Sequence, residues 1–390
     1  MKNRRFPLPE FFSRESSSGL LIIIAAVIGV ALANSPLADR YFAILKFEIT
    51  FPSASFFPSL TILKVINYLL MTLFFFVVGL EIKRELVLGN LASAKKAITP
   101  FIAALGGMLL PALVYLLISG SRAPTGWAVP VATDIALAVG LVSMMGSRVP
   151  FALKTFLLAL AVIDDIGAIL IIALLYSQGV VLSWLGGALL VIVIVFILKK
   201  LGIKSLWIYI MCGSLLWYAF YRASLHPTLA GVVMGLMAPT ELKNSDQESS
   251  DETWIDWLER RVHPLTSFII VPLFALANSG ISLSGQNLRT AASSAVAWGI
   301  FFGLVVGKPL GIALFSLLGV RAGIAEFPEG SRRPTFIAIS SAAGIGFTVA
   351  IFIARLAFDD SQLQEIAITA VLAGSLASAA ISAALFRMRK

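Results

Sequence analysis

The sequence predicts an all-α, polytopic membrane protein, and three observations support this prediction. Hydrophobic residues make up 58% of the chain and charged residues only 13%, whereas soluble domains carry about 25% charged residues. Apolar stretches long enough for a membrane helix, which needs about 20 such residues, recur along the whole chain. Lys and Arg residues lie mostly in the short segments between these stretches, as they do in membrane proteins.

Twelve membrane-spanning helices are expected in a single transmembrane domain that covers residues 1–390. Their expected ranges are 19–36, 61–82, 98–119, 126–145, 150–177, 181–199, 204–220, 223–238, 255–277, 292–317, 334–355 and 363–386. An even number of spans places both termini on the same side of the membrane. Most basic residues then fall in the segments on that side, which predicts that both termini are cytoplasmic.

The first expected span has an alternative interpretation as a signal peptide. Lys2, Arg4 and Arg5 precede an apolar stretch that ends at Ala33, and this order is typical of a cleaved signal. The segment before the apolar stretch is long, however, and it contains prolines and acidic residues. We therefore expect residues 19–36 to remain as a short first span.

Two connecting segments differ from the others in composition. Residues 41–60, with an alternating run from Lys46 to Phe51, predict a short β-hairpin on the outer side, with an irregular loop as the alternative. Residues 240–256 are polar and acidic. They predict a flexible inner linker between two halves of six spans each.

The residue counts exclude most enzyme chemistry. The chain has two His and one Cys, which excludes most metal sites, most nucleophile chemistry and a disulfide framework. It contains no Gly-rich phosphate-binding loop and no nucleophilic triad. We expect a protein that is not an enzyme, needs no cofactor and binds no nucleic acid, because the basic loops of a membrane protein explain its net charge of +9.

Asp164 and Asp165 lie near the middle of an apolar stretch. A charged side chain at the bilayer centre costs about 2.5–3.5 kcal/mol, so such residues are usually functional. Successive helical residues point about 100° apart, and both carboxylates can therefore reach one cavity. Two close carboxylates titrate as a coupled pair and can hold either protons or a small hard cation. This competition predicts exchange, with a structural pair satisfied by a lysine or by backbone donors as the alternative.

Asp134 follows Thr133 in another apolar stretch, four residues after Pro130. Proline removes a backbone donor and disrupts a helix, and a broken helix presents a positive N-terminal end and a negative C-terminal end. We expect Asp134 to neutralise the positive ends and Thr133 to support cation binding through its hydroxyl or carbonyl group. In the alternative interpretation, Pro130 only kinks an intact helix.

A late part of the chain contains a matching pair of features. Lys308 lies in the middle of an apolar stretch, where it can neutralise the negative ends of broken helices or form a structural ion pair with Asp164 or Asp165. Gly344 and Gly346 predict a second broken helix, unless they only form a packing face of small residues. Interrupted spans at matching positions of two halves are typical of inverted repeats around a binding site.

Seven motifs together carry a resemblance to a known family. They are GLEIKREL from Gly79 to Leu86, ATDIALAVG from Ala132 to Gly140, SRVP from Ser147 to Pro150, LAVIDDIGAI from Leu160 to Ile169, HPTLAG from His226 to Gly231, GKPLGI from Gly307 to Ile312, and GIGFT from Gly344 to Thr348. In this order they resemble the NhaA family of sodium/proton antiporters over nearly the whole chain. That family is itself a known example of inverted repeats, so the repeat argument is not independent of the resemblance.

The resemblance implies two crossed, interrupted helices near the membrane midplane and a Na+ or Li+ site at Asp164 and Asp165. It implies that Asp134 and Lys308 balance the charges of the half-helix ends. Exchange would be electrogenic and pH-regulated, with more protons entering than Na+ leaving, and would proceed by alternating access. Members of the family work in the bacterial inner membrane, often as homodimers joined partly through an outer hairpin.

The family also carries a charged cluster on the inner side that is linked to the pH response. The matching positions in this chain are Glu81, Arg84, Glu85, Glu259 and His263. Without the resemblance, a solvated helix end would explain these residues. Arg260 stands where well-known members have a second histidine, which indicates a different pH threshold. His226 is expected to be structural rather than a proton ligand.

Three other functions compete with cation/proton exchange. A Na+-coupled symporter of an organic solute on a similar fold is the closest alternative, although few polar groups lie at mid-depth besides the charged residues. An intramembrane aspartyl protease needs its two aspartates on different spans, usually in YD and GxGD contexts. Here Thr133 precedes Asp134, and Phe347 rather than an aspartate follows Gly346. A passive channel is disfavoured because buried carboxylates beside a lysine would hold ions rather than pass them quickly.

Overall fold

The computed structural model describes residues 8–49, 59–176, 179–203, 205–240 and 253–388. Helices dominate this part of the chain. They are α1 Leu8–Ala33, α2 Ala38–Lys46, α3 Ile62–Val87, α4 Ala94–Ser119, α5 Ile135–Met144, α6 Phe151–Leu175, α7 Leu182–Lys200, α8 Leu206–Arg222, α9 Leu229–Met237, α10 Trp254–Asn278, α11 Gly285–Ser293, α12 Ala295–Arg321, α13 Arg333–Ala342, α14 Phe347–Ala357 and α15 Ser361–Arg387. A 3₁₀ segment, Pro124–Val131, precedes α5.

Within the described residues, eight helical segments are long and apolar enough to cross a membrane, and counting two bent pairs as one span each gives up to ten. The bent pairs are Ser17–Ala33 with Ala38–Lys46, at 111°, and Arg333–Ala342 with Phe347–Ala357, at 49°. The chain is therefore a multi-pass, all-α membrane protein, as its composition predicts.

The expected span at 204–220 corresponds to α8, which has the same length of 17 residues. The expected span at 223–238 corresponds to α9, which has only 9 residues. Residues 223–228 form turns instead of the first part of a helix, and Ser224 adopts a left-handed backbone conformation with φ of 62°. Both helices are shorter than the roughly 20 residues of a full span, so the total of twelve stays a prediction.

The β-hairpin expected at 41–60 needs correction over its first residues, which are helical. Tyr41 and Leu45 lie one turn apart on the buried face of α2, and Asp39 and Lys46 complement the dipole at its two ends. These local preferences outweigh the alternating pattern. Glu48–Ile49 pairs antiparallel with Leu60–Thr61, and residues 50–58, where the hairpin would turn, lie outside the described residues.

Most of the expected inner linker at 240–256 also lies outside the described residues, which exclude 241–252. Its last residues belong to the start of α10 rather than to a flexible segment. Thr253 accepts a hydrogen bond from the Asp256 backbone, and the Asp256 carboxylate accepts one from the Thr253 backbone. This capping box begins the helix because it satisfies two N–H groups that a helix start leaves unpaired.

Helices α3 and α10 run antiparallel and define the two ends of the molecule. Near one end, Glu81 faces His263, with 3.8 Å between Oε1 and Nε2. Near the other, Asn67 and Asn278 exchange side-chain hydrogen bonds of 3.2 and 2.9 Å. At a helical rise of 1.5 Å per residue, the Glu81–His263 contact and the Asn67–Asn278 contact lie about 21 Å apart along the helices. We call these two ends the Glu81 end and the Asn278 end.

Helices α4 and α12 approach closely because glycines line their contact. A Cβ atom on Gly311 would collide with the Gly106 carbonyl oxygen and would lie 3.0 Å from Leu110 Cβ. On Gly307 it would lie 2.8 Å from Pro111 Cα. Small residues allow such close backbone packing between membrane helices. This contact holds α12, which carries Lys308, against the centre of the protein.

Replacement of Gly311 by Val should therefore destabilise the protein. Overpacking of a tight contact costs about 1–3 kcal/mol, and thermal unfolding in detergent should show a lower Tm than that of the wild type. Gly187→Val is the matched control, because a Cβ atom on Gly187 in α7 meets nothing within 4 Å. Equal Tm values for the two variants would contradict the glycine contact.

Candidate functional site

Two helix breaks face each other at the centre of the protein. Residues 132–134 separate the 3₁₀ segment from α5, and residues 343–346 separate α13 from α14. The Asp134 backbone N–H donates to the Ile345 carbonyl oxygen at 2.7 Å, and Thr133 Oγ1 lies 2.9 Å from the Ala343 carbonyl oxygen. The two breaks thus satisfy part of each other's exposed backbone, which a lipid environment requires.

The residues predicted to cause the breaks lie close to them. Pro130 belongs to the 3₁₀ segment, two residues before the extended backbone at Ala132. A Cβ atom on Gly346 would lie 3.0 Å from the Ala132 carbonyl oxygen, and one on Gly344 would lie 2.5 Å from the Leu304 carbonyl oxygen. Glycine at these two positions therefore permits a close approach of the second break to the first break and to α12.

Asp134 joins the N-terminal ends of two half-helices. Its Oδ1 accepts a hydrogen bond of 3.1 Å from the Leu137 backbone in the first turn of α5. Its Oδ2 accepts bonds of 3.0 and 2.5 Å from the backbone and hydroxyl of Thr348, at the start of α14. Helix N-termini carry partial positive charge. The buried carboxylate therefore lies against the N-terminal ends of both half-helices.

Lys308 lies at the opposite kind of helix end. Its side chain is fully buried. The ammonium donates to the carbonyl oxygen of Val131, the last residue of the 3₁₀ segment, and Nζ lies 2.6 Å from Asp164 Oδ2. Carbonyl groups at a helix C-terminus carry partial negative charge, so the Lys308 ammonium lies between a half-helix end and a carboxylate.

The two oxygens of Asp164 have different environments. Oδ2 accepts a hydrogen bond of 2.6 Å from Thr133 Oγ1 in addition to its contact with Lys308. Oδ1 is buried and has no hydrogen-bond partner among the described residues. A buried acceptor without a partner costs about 1–3 kcal/mol, and more when it is charged. The unpaired oxygen is therefore a place where a proton or a cation would stabilise the protein.

Asp165 lines a cavity of about 50 Å³. The cavity also touches Asp134 and Thr348 at the crossing of the breaks, and Glu81 and His263 towards the Glu81 end. One water molecule takes up about 30 Å³ in the liquid, so the cavity has room for a small ion or for one or two waters. Carboxylate and hydroxyl oxygens along its wall are suitable ligands for a hard cation.

The five positions predicted for the pH response lie on α3 and α10. Arg84 Nη1 and Glu259 Oε1 form an ion pair of 2.6 Å between these helices, and Glu81 faces His263 as described above. Glu259 Oε2 is buried and has no partner among the described residues. Glu85 is buried on α3 and, unlike Glu81, does not line the cavity.

Aromatic side chains close the other side of the crossing, towards the Asn278 end. The ring of Phe352 on α14 packs on Phe75 of α3 and on Phe274 of α10, with centroid distances of 5.4 and 6.2 Å. It also lies 5.0 Å from the ring of His226. The site therefore has the cavity beside Asp165 on one side and a packed aromatic cluster on the other.

His226 is buried beside this aromatic cluster. Its Nδ1 lies 2.7 Å from Thr228 Oγ1, while Nε2 is buried without a partner among the described residues. The ring also packs edge-on against Tyr68, with centroids 5.1 Å apart. These contacts fix the imidazole within the protein, and its structural role stays a prediction.

Residues 9–386 match the Na+/H+ antiporter 1 family. The chain belongs to this family. A Na(+)/H(+) antiporter NhaA of Serratia proteamaculans (strain 568) is 44% identical over 383 residues, which cover 97% of both chains. The NhaA protein of Yersinia enterocolitica (strain NCTC 13174 / 8081) is 45% identical over 97% of this chain and 96% of its own length. That of Yersinia pseudotuberculosis (strain IP 31758) is 45% identical over 97% and 95%, respectively.

Family membership confirms the resemblance that the sequence motifs carry. The structure adds the contacts through which those motifs meet: the adjacent aspartates, the mid-span lysine and the two breaks converge on one centre. Thr348 and Phe352 also belong to this centre, and sequence reasoning did not single them out.

Proposed function

We propose that the protein exchanges Na+ or Li+ for H+ across the bacterial inner membrane by alternating access. The observation that carries this proposal is the state of Asp164, whose Oδ2 binds Lys308 and Thr133 while its buried Oδ1 has no partner. Asp165, its neighbour, lines a cavity with further carboxylates. Membership in a Na+/H+ antiporter family supports the same function.

In the proposed cycle, a cation enters from the Glu81 end and binds to Asp165 and Asp164 when both are deprotonated. Its charge replaces that of Lys308 at Asp164, so the ion pair opens as the cation binds. The site then becomes accessible from the Asn278 end, where the cation leaves and protons bind. Protonation restores charge balance for the return step. Exchange is electrogenic if two protons return for each cation.

The Glu81 end is proposed to be cytoplasmic. Lys83 and Arg84 lie within one turn of Glu81 on α3, and Lys83 Nζ donates to the Leu236 carbonyl oxygen at 2.6 Å. Lys199 also reaches this end, where it donates to the Ala238 carbonyl oxygen at 3.4 Å. Basic residues favour the cytoplasmic side. With α8 and α9 counted as spans, the chain would have twelve helices, inverted repeats and both termini in the cytoplasm.

The size of the cavity favours exchange over symport of an organic solute. Sites for organic ligands usually enclose about 300–1,000 Å³, whereas the cavity beside Asp165 has about 50 Å³. Its dimensions suit a cation that has lost most of its water.

A homodimer joined partly through residues 41–60 is a further part of the proposal, and so is a role for the Glu81 end in the pH response.

We propose Glu81 rather than Glu85 as the residue of α3 that acts in this pH response. Glu81 lines the same cavity as Asp165, whereas Glu85 does not. In Glu81→Gln, removal of a like charge should let the aspartate pair lose its protons more easily, so exchange should begin at a lower pH than in the wild type. The measurement is the pH profile of exchange, with Glu85→Gln as the matched control. An unchanged profile for Glu81→Gln would contradict the electrostatic link.

The proposed function is tested in everted membrane vesicles from cells that lack their own antiporters. A dye reports the pH gradient while Na+, Li+ or K+ is added at pH values from mildly acidic to alkaline. We expect Na+ and Li+ to collapse the gradient at alkaline pH. If no cation collapses it in correctly inserted protein, the exchange proposal fails, and a solute driven by Na+ becomes the next candidate.

A further inference from the structure

Helix α15 presents three buried serines to the second break. Ser375, Ser378 and Ser382 follow one another at intervals of three and four residues, so they lie on one face of this helix. Ser378 Oγ lies 3.4 Å from the Leu304 carbonyl oxygen of α12. Ser382 Oγ donates to the Ala338 carbonyl oxygen of α13 at 2.8 Å. This serine face therefore supports both α12 and the first half of the broken helix.

Ser375 contacts the second half of the broken helix. Its Oγ accepts a hydrogen bond of 3.1 Å from the backbone N–H of Phe347, the first residue of α14. The first N–H groups of a helix have no partner inside that helix. Gly346, which precedes α14, has no side chain that could cap it. Ser375 thus supplies the cap from another helix, and the cap is buried.

The next N–H group of α14 binds Asp134. The Thr348 N–H donates to Asp134 Oδ2 at 3.0 Å. Two adjacent N–H groups at one helix start therefore have two different acceptors, a neutral hydroxyl and a carboxylate. Because Ser375 satisfies the first group, that group does not compete for Asp134. The hydroxyl thus influences how much of the positive charge of this helix start acts on the carboxylate.

We propose that Ser375 is a positioning residue for exchange, which caps α14 and thereby sets the pH at which exchange begins. This inference rests on the proposed exchange function. A helix N-terminus carries partial positive charge, and the Ser375 oxygen compensates part of it. Without this oxygen, more positive potential acts on Asp134. The same potential reaches Asp165, which interacts electrostatically with Asp134. Ionised carboxylates are then favoured, so protons leave the site at a lower pH.

Ser375 acts on a site that contains several other charges. Asp134 and Asp165 line the cavity. Among the described residues, the other charged or titratable groups around the crossing are Asp164 on α6, Lys308 on α12, Glu81 on α3, His263 on α10 and, in the last turn of α14, Arg355. A substitution of Ser375 leaves all of these groups in the protein. A shifted pH profile would therefore report the cap and not the loss of a titrating group.

The test measures the pH profile of Na+/H+ exchange in everted vesicles, normalised to the amount of folded protein. In Ser375→Ala, exchange should begin about 0.2–0.7 of a pH unit lower than in the wild type, which is the usual size of a charge interaction at a helix N-terminus. Ser375→Thr keeps the hydroxyl and should retain the wild-type profile.

A further variant keeps the test decisive if Ser375→Ala folds poorly. Ser375→Cys has nearly the same volume as the wild type, so it should insert normally. Its thiol is a weaker acceptor than a hydroxyl. The pH profile of this variant should therefore shift in the same direction as that of Ser375→Ala, by a smaller amount.

Ser382→Ala is the matched control, because it makes the same chemical change on the same face of α15. Ser382 lies about two turns from Ser375, and it binds a carbonyl oxygen of α13 instead of the start of α14. Its loss leaves the cap of α14 in place. We expect this variant to lower the Tm without shifting the pH profile.

The outcomes separate this inference from the proposed function. If wild-type vesicles show no exchange, the proposed function fails, and this inference fails with it. If the wild type exchanges, unchanged profiles in Ser375→Ala and Ser375→Cys would overturn the inference alone and make Ser375 a structural residue. An equal shift in Ser382→Ala would also overturn it. So would a shift in Ser375→Thr as large as that in Ser375→Ala, since the hydroxyl would then not be its cause.

Discussion

Replacement of Asp164 by Asn should abolish Na+/H+ exchange, with the residual signal at the level of vesicles that lack the protein. Asn has nearly the same shape and can still accept hydrogen bonds from Lys308 and Thr133, so the protein should still insert, with a lower Tm because Lys308 loses its charged partner. It cannot change its charge, however, and a carboxylate that alternates between a proton, a lysine and a cation is the core of the proposed cycle. Exchange is measured by the dye assay and normalised to the amount of folded protein.

The matched control for this variant is Asp39→Asn, the same chemical change at an exposed position on α2. It should exchange at the wild-type rate. Asp165→Asn extends the test to the second carboxylate, which lines the cavity directly. Undiminished exchange in Asp164→Asn would remove Asp164 from the mechanism, and Asp165 alone would then have to account for competition between protons and Na+.

Much of the central site was predictable because burial of charge in an apolar stretch needs a compensating contact. That argument selects Asp134, Asp164, Asp165 and Lys308 from sequence alone, and the structure brings Lys308 to within 2.6 Å of Asp164. The choice of partner was not predictable. An ion pair with Asp165 agrees equally well with the sequence, since only the rotation of α6 relative to α12 decides which carboxylate faces the lysine.

The exact position of the breaks was also beyond sequence reasoning. Pro130 predicts a disrupted helix near its own position, but the backbone becomes extended at 132–134, where it pairs with the second break across the protein. The sequence did not indicate a role for Thr348 either, because its hydroxyl binds Asp134, which is distant in sequence and lies beside it only in the fold. Phe352 resembles any other aromatic residue in an apolar stretch until the fold surrounds it with Phe75 and Phe274.

Local sequence patterns failed where short-range preferences conflict. The alternating run from Lys46 to Phe51 predicted a hairpin over 41–60. Residues 41–46 nevertheless form a helix, because the acidic and basic residues at its ends and the one-turn spacing of Tyr41 and Leu45 favour it. Similarly, apolar composition alone predicted a span at 223–238. The turn at Ser224 shortens the helix there, and composition carries no information about such a turn.

Replacement of Lys308 by Met should cause the second large effect, a loss of stability. The substitution leaves the Asp164 carboxylate buried without its cationic partner, and breaking a buried ion pair in this way costs about 3–5 kcal/mol. It also leaves the Val131 carbonyl oxygen without its donor. Thermal unfolding in detergent should therefore show a markedly lower Tm for Lys308→Met than for the wild type.

The double variant Lys308→Met/Asp164→Asn separates the structural role of Lys308 from its mechanistic role. It removes both charges together, and replacing a whole buried pair by neutral groups is often close to neutral for stability. The Tm should therefore recover most of what the single substitution loses, while exchange should stay absent because Asp164 can no longer titrate. If Lys308→Met alone lowers the Tm but exchanges at the wild-type rate per folded molecule, Lys308 only holds the crossing together. If Lys308→Met also lowers the exchange rate per folded molecule, the opening of the Lys308–Asp164 pair is part of cation binding. The unpaired Asp164 oxygen beside the pair favours this second outcome.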